Sequence, residues 1–148
     1  MIRVQPEPFD PAAELSALAE RAAGAGAIAS FVGVVRPSAG DASVDQLELE
    51  HYGRFTLATV EAIAADARAR FDLLDFTIVH RFGTLLPGEP IVFVAAAAAH
   101  RRAAFDAVDY LMDRLKTEAP FWKREHGPGG SHWIEPTQAD RSDRRRWD

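Results

Sequence analysis

The feature that most constrains the fold of this chain is an uninterrupted apolar run at residues 91–99. A helix that crosses a membrane needs roughly 20 apolar residues, so this run is too short to span a bilayer. Its first four residues are β-branched or aromatic, and strands that are buried on both faces carry such continuous apolar sequence. The sequence therefore predicts a strand at residues 91–99 that is covered on both faces.

Helix signals occur on both sides of this run. Asp10 and Pro11 provide a cap and a favourable first residue for a short helix that ends before Gly24 and Gly26. Two longer segments, residues 56–71 and 100–117, repeat apolar side chains every three or four positions, which predicts amphipathic helices. Pro120 stops the last of these helices. Extended segments are predicted at residues 27–36, 47–51, 74–82, 121–125 and 131–135.

The connections between these elements indicate the fold class. The Pro87-Gly88 pair turns the chain between residues 74–82 and 91–99, which predicts an antiparallel hairpin. A small and polar segment at residues 37–43 predicts a mobile loop. Short turns between adjacent strands argue against a regular βαβ array. We therefore expect an α+β fold with a mainly antiparallel sheet and about three main helices, in a single domain over residues 1–148.

Composition excludes several functional classes. The 17 basic and 22 acidic residues give a net charge of -5, so the chain lacks the electrostatic footprint of a nucleic-acid-binding protein. The absence of cysteine excludes disulfides, a thiol nucleophile and a thiolate metal site, and any sulfur chemistry must use sulfur from elsewhere. Residues 1–10 lack the pattern of a secretory signal. We expect a cytoplasmic protein that does not associate with a membrane.

Common site motifs are also missing. Gly24-Ala25-Gly26 precedes a strand, so it fits neither a dinucleotide fingerprint nor a phosphate-binding loop. No serine lies in a nucleophile-elbow pattern. We predict no cofactor. We also predict no metal site, because the five histidines show no close ligand spacing: His51, His80, His100, His126 and His132. The first two lie on the apolar phase of their strands, where hydrogen-bonded core histidines are expected.

Two lysines near the end of the last long helix are the strongest candidates for catalysis. Lys116 lies at the edge of the apolar face of that helix, and Lys123 follows Pro120 beside Phe121 and Trp122. Burial and a like-charged neighbour both lower the pKa of a lysine, which makes the amine usable as a base or nucleophile near neutral pH. The alternative interpretation is that each lysine extends its charged end to solvent.

Cations at strand ends form a candidate anion site. His100-Arg101-Arg102 opens the last long helix directly after the apolar strand, where unpaired backbone N–H groups bind anions readily. Arg36 ends the strand at residues 27–36 and could point into a site or into solvent. A solvated helix start explains the first group equally well.

Several segments together closely resemble the large, catalytic subunit of the molybdopterin synthase family. The most specific are Ala99-His100-Arg101, Leu115-Lys116-Thr117 and the block from Ala119 to Glu125 with the sequence Ala-Pro-Phe-Trp-Lys-Arg-Glu. The same order as in the family is kept by Phe31-Val32-Gly33-Val34-Val35-Arg36, Leu49-Glu50-His51-Tyr52, Val79-His80-Arg81-Phe82-Gly83, Gly88-Glu89 and Ile91-Val92-Phe93-Val94. The resemblance covers nearly the whole chain.

The resemblance implies a hammerhead-like α+β fold and a homodimer that binds one small ubiquitin-like sulfur-carrier subunit per chain, a heterotetramer. The carrier's C-terminal thiocarboxylate would supply sulfur to a pterin phosphate, cyclic pyranopterin monophosphate, to form the dithiolene of molybdopterin. When the family's functional residues are matched to this sequence one by one, the resemblance implies that the catalytic pair is Lys116 and Lys123. It implies that the substrate-binding group is Arg36, His100 and Arg101. Arg54-Phe55 and His132 depart from the residues that are common in relatives.

Two other functions account for part of the pattern. In a non-catalytic docking module, the cations around Lys116 would only receive the tail of a ubiquitin-like partner. An enzyme with a different phosphate-containing substrate is the second alternative, and the missing Gly-rich loop counts against it. The tail at residues 141–148 is expected to be a partly ordered surface element whose removal leaves the chemistry intact.

Overall fold

The computed structural model describes residues 1–148 as ten β-strands and four α-helices. The strands are β1 Ile2–Gln5, β2 Ala27–Val34, β3 Ser38–Ala39, β4 Ala42–Ser43, β5 Gln46–Glu50, β6 Asp75–Arg81, β7 Gly83–Leu85, β8 Pro90–Ala98, β9 Trp122–Gly127 and β10 Gly130–Ile134. The helices are α1 Pro11–Arg21, α2 Arg54–Phe71, α3 Arg101–Glu118 and α4 Gln138–Arg145. None of these helices combines the length and the apolar character that crossing a membrane requires.

The main sheet has the strand order β1-β6-β8-β2. Strand β8 pairs antiparallel with both β6 and β2, and β1 runs parallel to β6. Residues 92–98 of β8 are all buried. The predicted central strand and its antiparallel pairing with the segment at residues 74–82 are therefore confirmed.

Side chains of β8 alternate between two separate cores, as the period of a strand requires. Val92, Val94 and the alanines at 96 and 98 pack into the larger core, which also contains α2 and α3. Phe93 and the alanines at 95 and 97 pack on the opposite face against Leu18 and Ala22, at α1. The apolar run is thus covered by helices on both faces of the sheet.

A second, fully antiparallel sheet has the order β10-β9-β5-β7. Its buried side chains Leu47, Leu49 and Leu85 form a small cluster with Val35, which directly follows β2 of the main sheet. Phe121 packs against this cluster and also against the larger core. It therefore fixes the turn between α3 and β9 relative to both sheets.

Helix α3 carries the candidate catalytic lysine at its C-terminal end. Its buried face is apolar, with Ala104, Ala107 and Leu111 almost inaccessible to solvent. The helix ends at Ala119, whose ψ of 129° is extended, because a residue that precedes proline is disfavoured in the helical region. The predicted helix and its stop at Pro120 are confirmed.

The α+β class with mainly antiparallel sheets is confirmed, but the structure adds elements that the pattern did not predict. Strand β1 is only four residues long, and the expected mobile loop at residues 37–43 contains the two-residue strands β3 and β4. Helix α4 was missed because it has no apolar stripe and none of its residues is buried. Its sequence signal is the capping box between Thr137 and Asp140.

The tail at residues 141–148 lies on the surface, as expected, and no residue of α4 is buried, but the tail makes specific contacts with the rest of the protein. Arg146 donates to Asp113 at 2.8 Å, and the indole nitrogen of Trp147 donates to the same carboxylate at 2.7 Å. The Trp147 ring makes edge contacts with Phe71 and Tyr110, with ring centroids 5.9 and 5.5 Å apart. The tail is therefore docked on α3 and α2 through charge and aromatic contacts.

Candidate active site

The only two lysines of the chain, Lys116 and Lys123, lie at the two ends of the turn between α3 and β9. Both line a cavity of about 230 Å³ whose other walls are this turn and residues 134–136. Both also line a neighbouring cavity of about 160 Å³, where Phe31, Val34 and Met112 supply apolar surface. The structure thus brings the predicted catalytic pair together at one place.

Lys123 is the lysine whose surroundings change its chemistry. It lies on β9 between Leu49 on one neighbouring strand and Ile134 on the other, and it is half-buried. Burial lowers the pKa of its amine, the positive charge of Lys116 lowers it further, and the Asp140 carboxylate partly opposes the shift. A neutral amine at Lys123 is therefore accessible at lower pH than for an ordinary lysine.

Lys116 has a different environment from the one expected. Its side chain is 50% exposed, and its Nζ lies 3.0 Å from Oδ1 of Asp140. The desolvation that we expected at both lysines acts mainly on Lys123, because the turn carries Lys123 into the sheet and leaves the Lys116 side chain half-exposed at the cavity. The helical pattern located Lys116 correctly but could not show which groups cover it.

Asp140 is the site residue that sequence reasoning missed. Burial alone would raise the pKa of its carboxyl, but hydrogen bonds from the Thr137 N–H, from Lys116 and from the Thr137 hydroxyl outweigh burial and lower the pKa. The carboxylate is only 16% exposed. A negative charge is therefore fixed beside the two lysines.

His80 forms the floor of the neighbouring cavity. Its ring stacks on Phe121 with centroids 3.7 Å apart, and its Nδ1 lies 2.8 Å from the carbonyl oxygen of Arg81. Because a carbonyl can only accept, Nδ1 carries the proton and Nε2 keeps its lone pair. Burial and the charge of Lys123 lower the pKa of His80 to about 3. The expected hydrogen-bonded core histidine is confirmed here.

Arg36 and His132 both approach the buried carboxylate of Glu125. Arg36 is 72% exposed and its Nη2 lies 3.9 Å from Oε1 of Glu125, while Nε2 of His132 lies 3.3 Å from Oε2. Neither group lines the two cavities beside the lysines. Arg36 therefore has a mostly free guanidinium that can turn towards an anion from outside.

His100 and Arg101 are not brought to the lysines within one chain. Both are exposed, and they begin α3, whereas Lys116 lies near its other end. Fifteen residues of helix separate Arg101 from Lys116, a distance of roughly 22 Å at 1.5 Å per residue. The predicted five-residue site is therefore not assembled within one chain: the two lysines share a cavity, Arg36 lies beside Glu125, and His100 and Arg101 lie at the other end of α3.

No group of three or more histidine or acidic side chains in residues 1–148 is placed to hold a metal ion. The charged groups that line the cavity are the two lysines, Glu118 and Glu135, and Asp140 pairs with Lys116 beside it. This arrangement can bind an anionic tail and move a proton through an amine.

Comparison with known proteins agrees with the motifs. A model of the MoaE protein family matches residues 4–118. The molybdopterin synthase catalytic subunit of Caulobacter vibrioides is 53% identical over 148 residues, which cover 100% of this chain and 97% of that protein. The molybdopterin synthase catalytic subunit of Escherichia coli is 44% identical over 146 residues, which cover 99% and 97%.

A solved structure shares both sequence and fold. The molybdopterin biosynthesis MoaE protein from Burkholderia ambifaria superimposes with a TM-score of 0.84 at 46% identity, over 99% of this chain and 97% of that one. The chain is therefore an enzyme of molybdenum cofactor biosynthesis. It belongs to the MoaE family, whose relatives above are catalytic subunits of molybdopterin synthase. The family and enzyme class predicted from the motifs are confirmed.

Proposed function

We propose that this chain transfers sulfur from the C-terminal thiocarboxylate of a small ubiquitin-like carrier subunit to cyclic pyranopterin monophosphate, forming the molybdopterin dithiolene. The observation that supports this most strongly is the convergence of both lysines at one cavity, with the pKa of Lys123 lowered. The absence of cysteine agrees with sulfur that arrives on another protein. The relatives' name, catalytic subunit, agrees with a second, carrier subunit.

The two lysines have different roles in this proposal. Lys116 acts on the carrier's terminal acyl group, because its half-exposed amine lies at the cavity mouth where a tail can reach it. Lys123 accepts and returns a proton, because burial favours its neutral form. Each transfer breaks the carrier's C–S bond and a C–O bond on the pterin side chain, and it forms a C–S bond at that pterin carbon. The displaced oxygen leaves as water or stays on the phosphate group. Water supplies the oxygen that completes the carrier's carboxylate.

Arg36, His100 and Arg101 would bind the substrate phosphate in an assembled homodimer. A second copy of the chain can supply His100 and Arg101, which lie too far from Lys116 within one chain. Strand β2 is an edge strand of the main sheet and exposes Phe31, Val32 and Val34. Exposed apolar side chains on a sheet edge favour self-association.

The oligomeric state can be measured directly. Light scattering after size-exclusion chromatography should give the mass of two chains, and four chains when carrier is added in equal amount. Val34→Lys should shift the mass towards one chain, whereas Leu57→Lys, an exposed apolar position on α2 beside β1 at the opposite edge of the sheet, should leave it unchanged. A wild-type monomer at micromolar concentration would contradict the homodimer.

Turnover separates the proposed function from its alternatives. The chain is incubated with thiocarboxylated carrier and the pterin precursor, and the dithiolene product is detected by mass spectrometry. We expect product that requires both components. Binding of carrier without any product would support a docking module, and the absence of both binding and product would support an enzyme with a different phosphate-containing substrate.

A further inference from the structure

The carboxylate of Asp140 reaches Lys116 from a helix that lies outside the motif region. Asp140 is in α4, 24 residues beyond Lys116, and its Oδ1 lies 3.0 Å from Nζ. An exposed ion pair contributes little to stability, since solvent screens it and both side chains lose freedom. This pair differs because the carboxylate is 16% exposed and adjoins a cavity lined by the second lysine.

The Asp140 side chain is held on two sides. Its other oxygen, Oδ2, accepts from the Thr137 N–H at 2.7 Å and from the Thr137 hydroxyl at 2.8 Å. These bonds complete the capping box at the start of α4. Because Oδ2 is fixed, Oδ1 cannot swing away from Lys116 without breaking the cap. The carboxylate is therefore a fixed anchor and not a mobile latch.

Helix α4 is attached to α3 by contacts that do not involve Asp140. Arg144 pairs with Glu118, and Arg146 and Trp147 both donate to Asp113. Arg70 donates to the carbonyl oxygen of Trp147 at 2.7 Å. Removing the charge of Asp140 should therefore leave α4 docked, which allows its effect on Lys116 to be measured separately.

We propose that Asp140 is a positioning residue that holds the Lys116 amine at the mouth of the cavity and orients it towards Lys123. Asp140 is the one carboxylate that pairs directly with Lys116, and its charge offsets the repulsion from Lys123 that would otherwise push the flexible Lys116 side chain into solvent. The geometry of Lys116 does not depend on sulfur chemistry. Only the kinetic consequence rests on the function proposed above.

The same arrangement predicts how Asp140 affects Lys123. The charged and titratable groups near Lys123 are Lys116 and Glu118 on α3, Glu135 after β10, Asp140 on α4 and His80 on β6. Of the three carboxylates, Asp140 is the one whose charge opposes the lowering of the Lys123 pKa. Loss of its charge should therefore lower the pKa of Lys123 further.

The decisive experiment uses the full chain labelled with ¹³C at lysine, which gives signals from two side chains only. Asp140→Asn keeps an amide oxygen that can accept from Thr137 and so retains the cap, but it removes the charge. We expect the order parameter of the Lys116 Cε to fall to that of a freely mobile side chain and the Lys123 pKa to decrease. An unchanged Lys116 order parameter would overturn the proposal.

Kinetics then test whether the positioning matters. With thiocarboxylated carrier and pterin precursor, Asp140→Asn should reduce kcat by about tenfold or more, as loss of a charge-assisted contact to a reacting group implies. The KM for the carrier should stay near wild type, and Asp140→Glu should recover part of kcat. A wild-type kcat in Asp140→Asn, with Lys116 mobile, would also overturn the proposal.

Asp143→Asn is the matched control, because Asp143 is on the same helix and its carboxylate pairs only with Arg146. It should change neither the lysine signals nor kcat. If the wild-type chain forms no dithiolene but Asp140→Asn still frees Lys116, the proposed function fails while the positioning role stands. If the wild type forms dithiolene and Lys116 is equally ordered in the wild type and in Asp140→Asn, the proposed function stands and the positioning role fails.

Discussion

The buried histidine His80 should make the protein less stable in mild acid by an amount that the structure defines. In the unfolded chain its pKa has the ordinary value of 6.5, whereas the folded protein lowers the pKa of His80 to about 3. Below pH 6.5 the unfolded chain therefore binds a proton at this site that the folded protein does not. The free energy of unfolding must then fall as pH decreases from 6.5 towards 3.

The size of the effect follows from the two pKa values. Between pH 7 and pH 5, His80 alone should reduce the free energy of unfolding by about 2 kcal/mol, which is a large share of the stability of a small protein. Urea denaturation at both pH values measures the change. His80→Gln removes the titration, so the difference in pH dependence between this variant and the wild type isolates the contribution of His80 from that of the carboxylates.

His100→Gln is the matched control, since His100 is exposed and its side chain makes no capping hydrogen bond. The free energy of unfolding of His100→Gln should depend on pH as steeply as that of the wild type. If His80→Gln and the wild type lose the same free energy between pH 7 and pH 5, then the folded protein does not hold His80 neutral. His80 would then not be a buried, neutral side chain beneath the cavity.

Two further predictions concern the tail and the anion site. Deletion of residues 141–148 should reduce the melting temperature and lower kcat about as much as Asp140→Asn, because the contacts of Arg144, Arg146 and Trp147 that dock α4 are lost. Calorimetry measures the melting temperature and turnover measures kcat. Wild-type values of both quantities would show that the docking of α4 is unimportant. Arg101→Ala should raise the KM for the pterin phosphate more than it lowers kcat, because it removes a charge that binds the substrate in ground and transition states alike. Steady-state kinetics measure both constants, with Arg102→Ala as the control. A change in kcat alone in Arg101→Ala would contradict the prediction.

The main sheet could be predicted because the sequence pattern of its central strand is one continuous segment. An unbroken apolar run has few structural solutions, and residues 91–99 gave a correct central strand whose two faces meet two cores. Proline at 120 likewise ended α3 where the restriction on the preceding residue requires. Helix α4 gave no such signal, because charge pairs to α3 hold it instead of an apolar face.

The site could be predicted only in part, for a related reason. A helical projection places Lys116 at the edge of a face, but the group that contacts it lies 24 residues later in α4. The sequence therefore identified both lysines, but it could not show that burial acts mainly on Lys123 while Lys116 stays half-exposed. The separation of Arg101 from Lys116, by contrast, follows from the helix rise alone.

The most direct test of the account is single-turnover sulfur transfer by the wild type, Lys116→Ala and Lys116→Arg under identical conditions. We expect Lys116→Ala to lose at least a hundredfold in rate, on the order of what a positioned catalytic group supplies, while melting temperature and carrier binding stay near wild type. Lys116→Arg should not recover the rate, because a guanidinium keeps its charge and cannot act as a base or nucleophile. Near wild-type turnover by Lys116→Arg would contradict the account, since Lys116 would then be only a positive contact and the chemistry would belong to Lys123.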